Sequence, residues 1–447
     1  MVFANDLDRV SHPVADRVCG IVLGTFVLVT AAAVFVSPRT ITVTVPILSL
    51  AALALSAHRR SIVSRSLLSD YVVGPVIGFL ILALASTIWA SQSDAPLGPV
   101  IKGALYLLCA LVFAEAMRLE RWSNALHIAE GLWIGAFVGI SYLLIEILSN
   151  QAIKLELYRF LELTRSDLRP PRYFSWRGDF LAAIAPNDLT RNIAPVTLCL
   201  WPSLLSIHSG LSLCSARIAG AMIFAVAVLV VILSEHETSK VALVVSSLIF
   251  LMAKSWPALS LRLLRMIWVS ACLAVIPLSL AFHRADLQQA GWLQYTARHR
   301  VVIWNHTAKE ALKSPILGVG AGMMYRLSRM DDEKEEGFET VLPHAHNIYL
   351  QTWFELGAIG AALLTLIGLA VLEKIERLKV RLQPHAQATF ASAMVMAATS
   401  YGMWQPWYIG MFALCAMAFA MARRVSDRVD ISSDDNRLDS DRPIEAA

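Results

Sequence analysis

His344 and His346 stand two residues apart in a polar interval ahead of a long apolar run, and Arg298, His299 and Arg300 precede them in the same interval. A neutral imidazole can take a proton from a hydroxyl near pH 7, and nearby cations and a helix N-terminus depress its pKa and keep it neutral. His346, beside Asn347, is the first candidate for such a base, and His344 the second; a solvated loop histidine is the bland alternative. A His-x-His pair also serves zinc. The neighbouring acids Asp331, Asp332, Glu333, Glu335 and Glu336, however, form a run of solvated type rather than a spaced ligand set, so no metal or other cofactor is expected.

The second kind of chemistry is anion binding. Arg191, Lys240 and Arg300 each fall at the expected start of a helix. A cation there opposes the macrodipole by about 0.3–1 kcal/mol. An anion held between such ends reverses the sign, because free N–H groups and cationic side chains then face one charge. Pyrophosphate meets that requirement. Arg298, His344, Asn347 and Trp304, one turn beyond Arg300, are candidates to line the same site. The competing explanation is that each cation snorkels to lipid headgroups.

The elements that must position these residues are membrane helices. The 447 residues are 57% hydrophobic and 16% charged, with mean hydropathy +0.58, too apolar for an ordinary soluble domain. The fold class expected is all-α, with about twelve spans of roughly 17–25 residues, enough to cross a ~30 Å hydrocarbon core. The spans begin at 18–36, take 266–282 as a single crossing, and end at 348–372, 388–403 and 407–421. Arg59, Arg60 and Arg65, Arg118 and Arg121, Lys254, Arg262 and Arg265, and Lys374, Arg377, Lys379 and Arg381 fall in alternate loops on the side of both termini. The positive-inside rule makes that side cytoplasmic. Two longer loops, at about 149–192 and 283–347, then face outward, which in a Gram-negative cell means the periplasm.

Residues 1–422 read as one transmembrane unit and 423–447 as a charged, disordered cytoplasmic tail. No cleavable leader is expected, since the first apolar segment lacks a small-residue cleavage pattern. The six cysteines lie in or beside apolar segments without paired spacing and read as small core residues. Nucleic acid is not implied by a net charge of +4 spread over loops.

Caps are expected at Asn187 or Asp188, at Thr238 or Ser239, at Thr296 and at Asn347. A helix from Thr296 carries Val301, Trp304, Ala308 and Leu312 on one stripe until Ser314-Pro315 ends it. Gly318, Gly320 and Gly322 form either a flexible turn or a backbone cradle for phosphate. Lys102, Glu130 and Glu355 are charges inside spans, functional by default unless they snorkel or pair locally. The aromatics near the outer turns, Trp404, Trp407 and Tyr408 among them, belong to the interfacial belt or stack on sugar rings.

Several of these residues form a recognisable order. Arg300-x-x-x-Trp304, Ser314-Pro315-Ile316-Leu317-Gly318-Val319-Gly320, His346-Asn347-x-Tyr349-Leu350-Gln351 and Glu355-x-Gly357-x-x-Gly360 resemble the shared block of the O-antigen ligase and polymerase superfamily. Thr238-Ser239-Lys240 resembles its Ser-Arg element with lysine in the arginine position, and Pro186-Asn187 its Pro-Asn element.

That resemblance implies an inverting, metal-independent glycan transfer at the periplasmic face, from a donor on undecaprenyl pyrophosphate. Arg300 and Lys240 would then hold the diphosphate and His346 would meet the acceptor hydroxyl. Lysine, a point charge, lacks the bidentate fork that arginine offers phosphate. The leading expectation is a ligase whose acceptor is a lipid A-core sugar. The alternatives are an O-antigen or exopolysaccharide polymerase that uses another lipid-linked repeat as acceptor, and a lipid-linked glycan transporter.

Overall fold

The computed structural model describes residues 13–58, 71–90, 97–119, 122–160, 189–207, 212–324 and 344–440. Among them regular structure is helical throughout. In chain order the α-helices are α1 (Pro13–Val36), α2 (Ile41–His58), α3 (Val73–Ala85), α4 (Leu97–Leu119), α5 (Trp122–Leu148), α6 (Ala152–Phe160) and α7 (Thr190–Ser206). Then follow α8 (Leu213–Leu233), α9 (Glu237–Ser255), α10 (Pro257–Leu273), α11 (Val275–Arg284), α12 (Tyr295–Ala311), α13 (Ile348–Glu376), α14 (Gln383–Thr399) and α15 (Pro406–Ser440).

Among the described residues, seven helices are long and apolar enough to cross a membrane, eight if the bent pair α10 and α11 counts as one span. The expected number was about twelve. Pro38–Ala54 and Val73–Ile88 are apolar but shorter, and α7 and α14 have 17 residues each. The stretch expected as one straight crossing at 266–282 is broken into two helices bent by 71°. Pro277 explains the break: it has no N–H to donate to the Leu273 carbonyl, and the chain leaves helical geometry at Ala274 (φ −94, ψ 3). α15 runs to Ser440; beyond Gly410 the stretch to 440 holds no Gly or Pro, and extending a formed helix needs no new nucleus.

The chain divides into two compact units, one made of Met1–Ile62, Val112–Lys240 and Leu414–Ala447, the other of Val63–Leu111 and Val241–Ala413. In the first, α1 and α5 lie in close contact. A Cβ added at Gly131 or Gly135 would strike the α1 backbone at Gly24 or Leu28, so only glycine lets the two helices approach this far. Asn192, near the start of α7, ties that helix to the end of α1 by donating to the carbonyls of Phe35 (2.8 Å) and Val36 (2.7 Å). Glu130, read as an intramembrane charge, pairs locally with His127 (3.3 Å).

In the second unit, α13 is the central element. Trp268 of α10 donates to the Thr365 carbonyl (3.1 Å), and Trp353 of α13 donates back to Cys272 (2.7 Å). Ala83, Val100, Ala321, Leu356, Met403 and Trp404 form its apolar core. α13 is not continuous: Gly357 has φ 62 and ψ −160 in mid-helix. The freed backbone groups are taken by the preceding loop. Val319 N donates to Phe354 O (3.0 Å) and Gly320 N to Glu355 O (2.9 Å), while Ala358 N donates to Pro315 O (2.8 Å).

Candidate active site

The loop 312–324 shows what Gly318, Gly320 and Gly322 are for. Gly318 has φ +67, and a Cβ there would overlap the Glu355 carbonyl; at Gly357 it would overlap the Ile316 carbonyl. The two strands of backbone therefore touch where neither could carry a side chain. The amides of Val319 and Gly320 are spent on α13, Ala321 N donates to Ser86 Oγ (2.8 Å) and Gly322 N to Glu355 Oε2 (2.8 Å). This is neither a flexible turn nor a phosphate cradle. It is an interlock.

Glu355, fully buried, is the hub of that interlock. Its Oε2 also accepts from the Trp404 indole, and its Oε1 from Gln351 Nε2 (2.9 Å). Gln351 Oε1 in turn accepts from Met403 N (3.1 Å). A buried carboxylate surrounded by donors is satisfied rather than stranded. The network joins three elements: the kink in α13, the glycine loop and the turn 400–405 between α14 and α15.

That turn is the floor of the site. His346 Nδ1 donates to the Ser400 carbonyl (2.6 Å). A carbonyl only accepts, so Nδ1 carries the proton and Nε2 holds the lone pair of the neutral ring. His346 has φ 53, a left-handed geometry uncommon outside glycine. Asn347, the next residue, caps α13 as expected by accepting from Leu350 N (3.0 Å). Trp304 of α12 donates to the Ala345 carbonyl (2.9 Å), fixing the segment from the other side. His344 packs against His346 with ring centroids 4.1 Å apart and planes tilted by 48°, and Gly402 lies beside it, where a Cβ would come within 2.8 Å of the His344 Cβ.

Arg300 belongs to the same cluster. Burial lowers its guanidinium from the ordinary value, with Tyr401 acting in the opposite sense. Among the described residues no carboxylate acts on it, so within them its charge has no local counter-ion. Burial holds the His346 imidazole down at about 4; the Ser400 carbonyl opposes this, and the charges of Arg300 and His299 add to the depression. The ring is therefore neutral at pH 7. Arg298 lies in the first turn of α12, and its Nε is buried without a hydrogen-bond partner among the described residues. His299 stacks on Tyr295.

The other two expected cations lie in the first unit. Lys240 sits inside α9, which begins at Glu237 rather than at a Thr238 or Ser239 cap, and its Nζ pairs with Glu237 Oε1 at 2.7 Å. Glu237 supplies the negative charge that a helix start favours, so this helix end is compensated from within. Ser239 Oγ meets His236 Nδ1 (2.6 Å) in place of capping the helix. Arg191 lies in the first turn of α7. Asn187, Asp188 and the acidic run 331–336 fall outside the described residues. Helix α12 starts after Gln294 (φ −61, ψ 150) instead of at Thr296, and no side chain caps it.

Ser400, Tyr401 and Gly402 complete the site without having been singled out, together with Gln351 and His299, which were named only as neighbours of His346 and Arg300. Their signal in the sequence is weak, since none is charged except conditionally and the 400–405 turn meets His346 only through tertiary contact.

Among the described residues, helices long and apolar enough to cross a membrane stand beside a polar cluster of imidazole and guanidinium groups, which marks a multi-pass membrane protein. Residues 222–365 match the family model described as O-antigen ligase, a stretch that contains Arg300, His346 and Gly357. A protein of Rickettsia bellii (strain RML369-C) described as a putative polysaccharide ligase is 29% identical over 119 residues, which are 26% of this chain and 29% of that relative. The matched stretch holds Lys240, Arg298, Arg300, Trp304, His344, His346 and Asn347, whereas Arg191 and the 400–405 turn lie beyond it.

Proposed function

We propose that the chain is a membrane glycosyltransferase of the O-antigen ligase type, working at the periplasmic face of a bacterial inner membrane with about twelve spans and both termini cytoplasmic. The donor is a glycan on undecaprenyl pyrophosphate and the acceptor a sugar hydroxyl of lipid A-core. His346 Nε2 takes the proton from the acceptor hydroxyl as its oxygen bonds to the anomeric carbon. The bond from that carbon to the pyrophosphate oxygen breaks with inversion, and its electron pair leaves with the lipid pyrophosphate. Arg300 holds the departing charge, with Arg298 next to it and His344, Trp304 and Asn347 placing the imidazole. Lys240 and Arg191 are proposed to add to diphosphate binding.

The observation that carries this reading is the His346–Ser400 bond: it fixes Nδ1 as the protonated nitrogen of a ring kept neutral by burial beside an arginine. The test is a reconstituted transfer assay in detergent with lipid-linked glycan and two acceptors offered separately, lipid A-core and a second lipid-linked repeat. Extension of the core alone supports a ligase, and extension of the repeat alone identifies a polymerase. Because no compartment is present, a pure transporter gives neither product. Wild-type rates in both His346→Ala and Arg300→Ala would remove the site assignment.

A further inference from the structure

We infer that α11 and the turn after it form a foot docked on phospholipid in the membrane–water interface, and that α10 crosses the membrane without it. α10 has 17 residues, about 25 Å of helix, which is most of a ~30 Å hydrocarbon core. α11 then bends away by 71°. With a crossing tilted by the usual ~20°, that bend leaves α11 closer to the bilayer plane than to its normal.

α11 has the two faces that such a helix requires. Val275, Ile276 and Ser279 are buried, and the helix packs against α12. Leu278, Ala281 and Phe282, followed by Ala285, are exposed on the opposite side. This stripe begins little more than one turn after Leu273, which closes the exposed apolar row Leu259, Met266 and Leu273 along α10. A row of that kind on a crossing helix faces lipid, and the stripe continues it. Beyond α11 the chain presents Trp292, 78% exposed, and Tyr295, rings of the type that gathers at the membrane boundary. Arg284, exposed in the last turn of α11, adds a cation for lipid phosphates. A single exposed leucine needs no cover, whereas a continuous apolar and aromatic stretch does. α12 carries Arg298 and Arg300 near its start, so the depth of the foot sets how far those cations stand from the bilayer. The inference goes beyond the proposed transfer, and its readout does not require it.

The experiment puts spin labels, one at a time, on the full chain in vesicles of phosphatidylethanolamine and phosphatidylglycerol. The background carries Cys19→Ser and Cys214→Ser, which removes the two native thiols that are not buried. Labels at Leu278→Cys, Phe282→Cys and Ala285→Cys should collide with oxygen more often than with a water-soluble nickel chelate, at a depth of about 5–10 Å. Positions 278 and 285 should differ in depth by well under the ~10 Å that separates them along a helix. A difference near ~10 Å would mean that α11 still crosses, and would overturn the inference. So would preferred collision with the nickel chelate at all three positions, which places the stripe in water, or access to neither reagent, which places it under protein or a second copy of the chain. Should the labelled variants fail to fold, unlabelled wild type and Trp292→Phe are compared in phosphatidylcholine brominated near the top of its acyl chains. Wild-type fluorescence should be quenched by the larger fraction, and equal fractional quenching would count against the foot.

Discussion

His346 and Ser400, 54 residues apart, are joined by a 2.6 Å hydrogen bond from the imidazole Nδ1 to the main-chain carbonyl. The bond selects the tautomer, and burial selects the charge. With the folded-state pKa lowered from 6.5 to about 4, transfer should hold its rate as pH falls through 6.5 and decline only near 4. A pH–rate profile whose acid limb is centred at 6.5 would show a solvated ring instead. The sign for stability follows from the same shift. Between 4 and 6.5 the unfolded chain binds the proton and the folded chain does not, so the contribution is complete above about 6.5 and is lost as pH drops toward 4. Melting curves at about pH 7.5 and 5 should show a larger loss for wild type than for His346→Gln.

Arg300 is expected to act as a fork, not as a point of charge. Arg300→Ala should lower the transfer rate by roughly 10²–10³ and weaken binding of the lipid pyrophosphate. Arg300→Lys should recover only part of this, because lysine cannot form two parallel hydrogen bonds to a phosphate. Full recovery by lysine, read as kcat and donor Kd, would mean that charge alone is used.

Lys240 offers a contrast. Its partner Glu237 is half-exposed and three residues away, a pair of the kind worth about 0–1 kcal/mol. If Lys240 also holds the donor, Lys240→Ala should raise the donor Kd while Glu237→Gln leaves it unchanged or lowers it. Equal, small effects of the two substitutions on melting temperature, with donor Kd untouched, would assign Lys240 to the helix start alone.

The interlock of the glycine loop with α13 should be intolerant of side chains. Gly357→Ala and Gly318→Ala each place a Cβ against main-chain carbonyl at positive φ, and each should cost about 1–3 kcal/mol for the backbone alone. Gly74, where nothing lies within 4 Å of an added Cβ, is the internal control. Thermal midpoints in detergent compare the three directly.

Trp404→Phe removes one donor from Glu355 while keeping the aromatic volume. The loss should be about 1–3 kcal/mol for a buried acceptor deprived of its partner, with a fall in transfer because Ser400 and Gly402 lie in the same turn. An unchanged melting temperature would mean that water replaces the indole.

The sequence made the apolar helices legible because hydropathy is a property of single segments. Asn347 as a cap and Ser314-Pro315 near the end of α12 were legible for the same local reason. The break at Ala274 could have been read from Pro277, whose missing N–H acts within one turn. The Gly318–Gly357 contact could not, since each glycine reads locally as a turn or a weak helix position and only their meeting explains both. The 400–405 turn was likewise hidden: Ser400 contributes a main-chain carbonyl, which no residue type encodes. By residue type alone the start of α9 falls at Thr238 or Ser239, whereas the helix begins at Glu237 and brings its own acid to Lys240.

The interlock also separates two design problems for this molecule. Chain on one side of residues 325–343 is fastened at Ala321 and Gly322, and on the other at Ala345 and Asn347. Ser86 and Glu355 hold the first set of anchors and Trp304 and the first turn of α13 the second, so a change at either set can be followed separately from the hold of Ser400 on the proton acceptor.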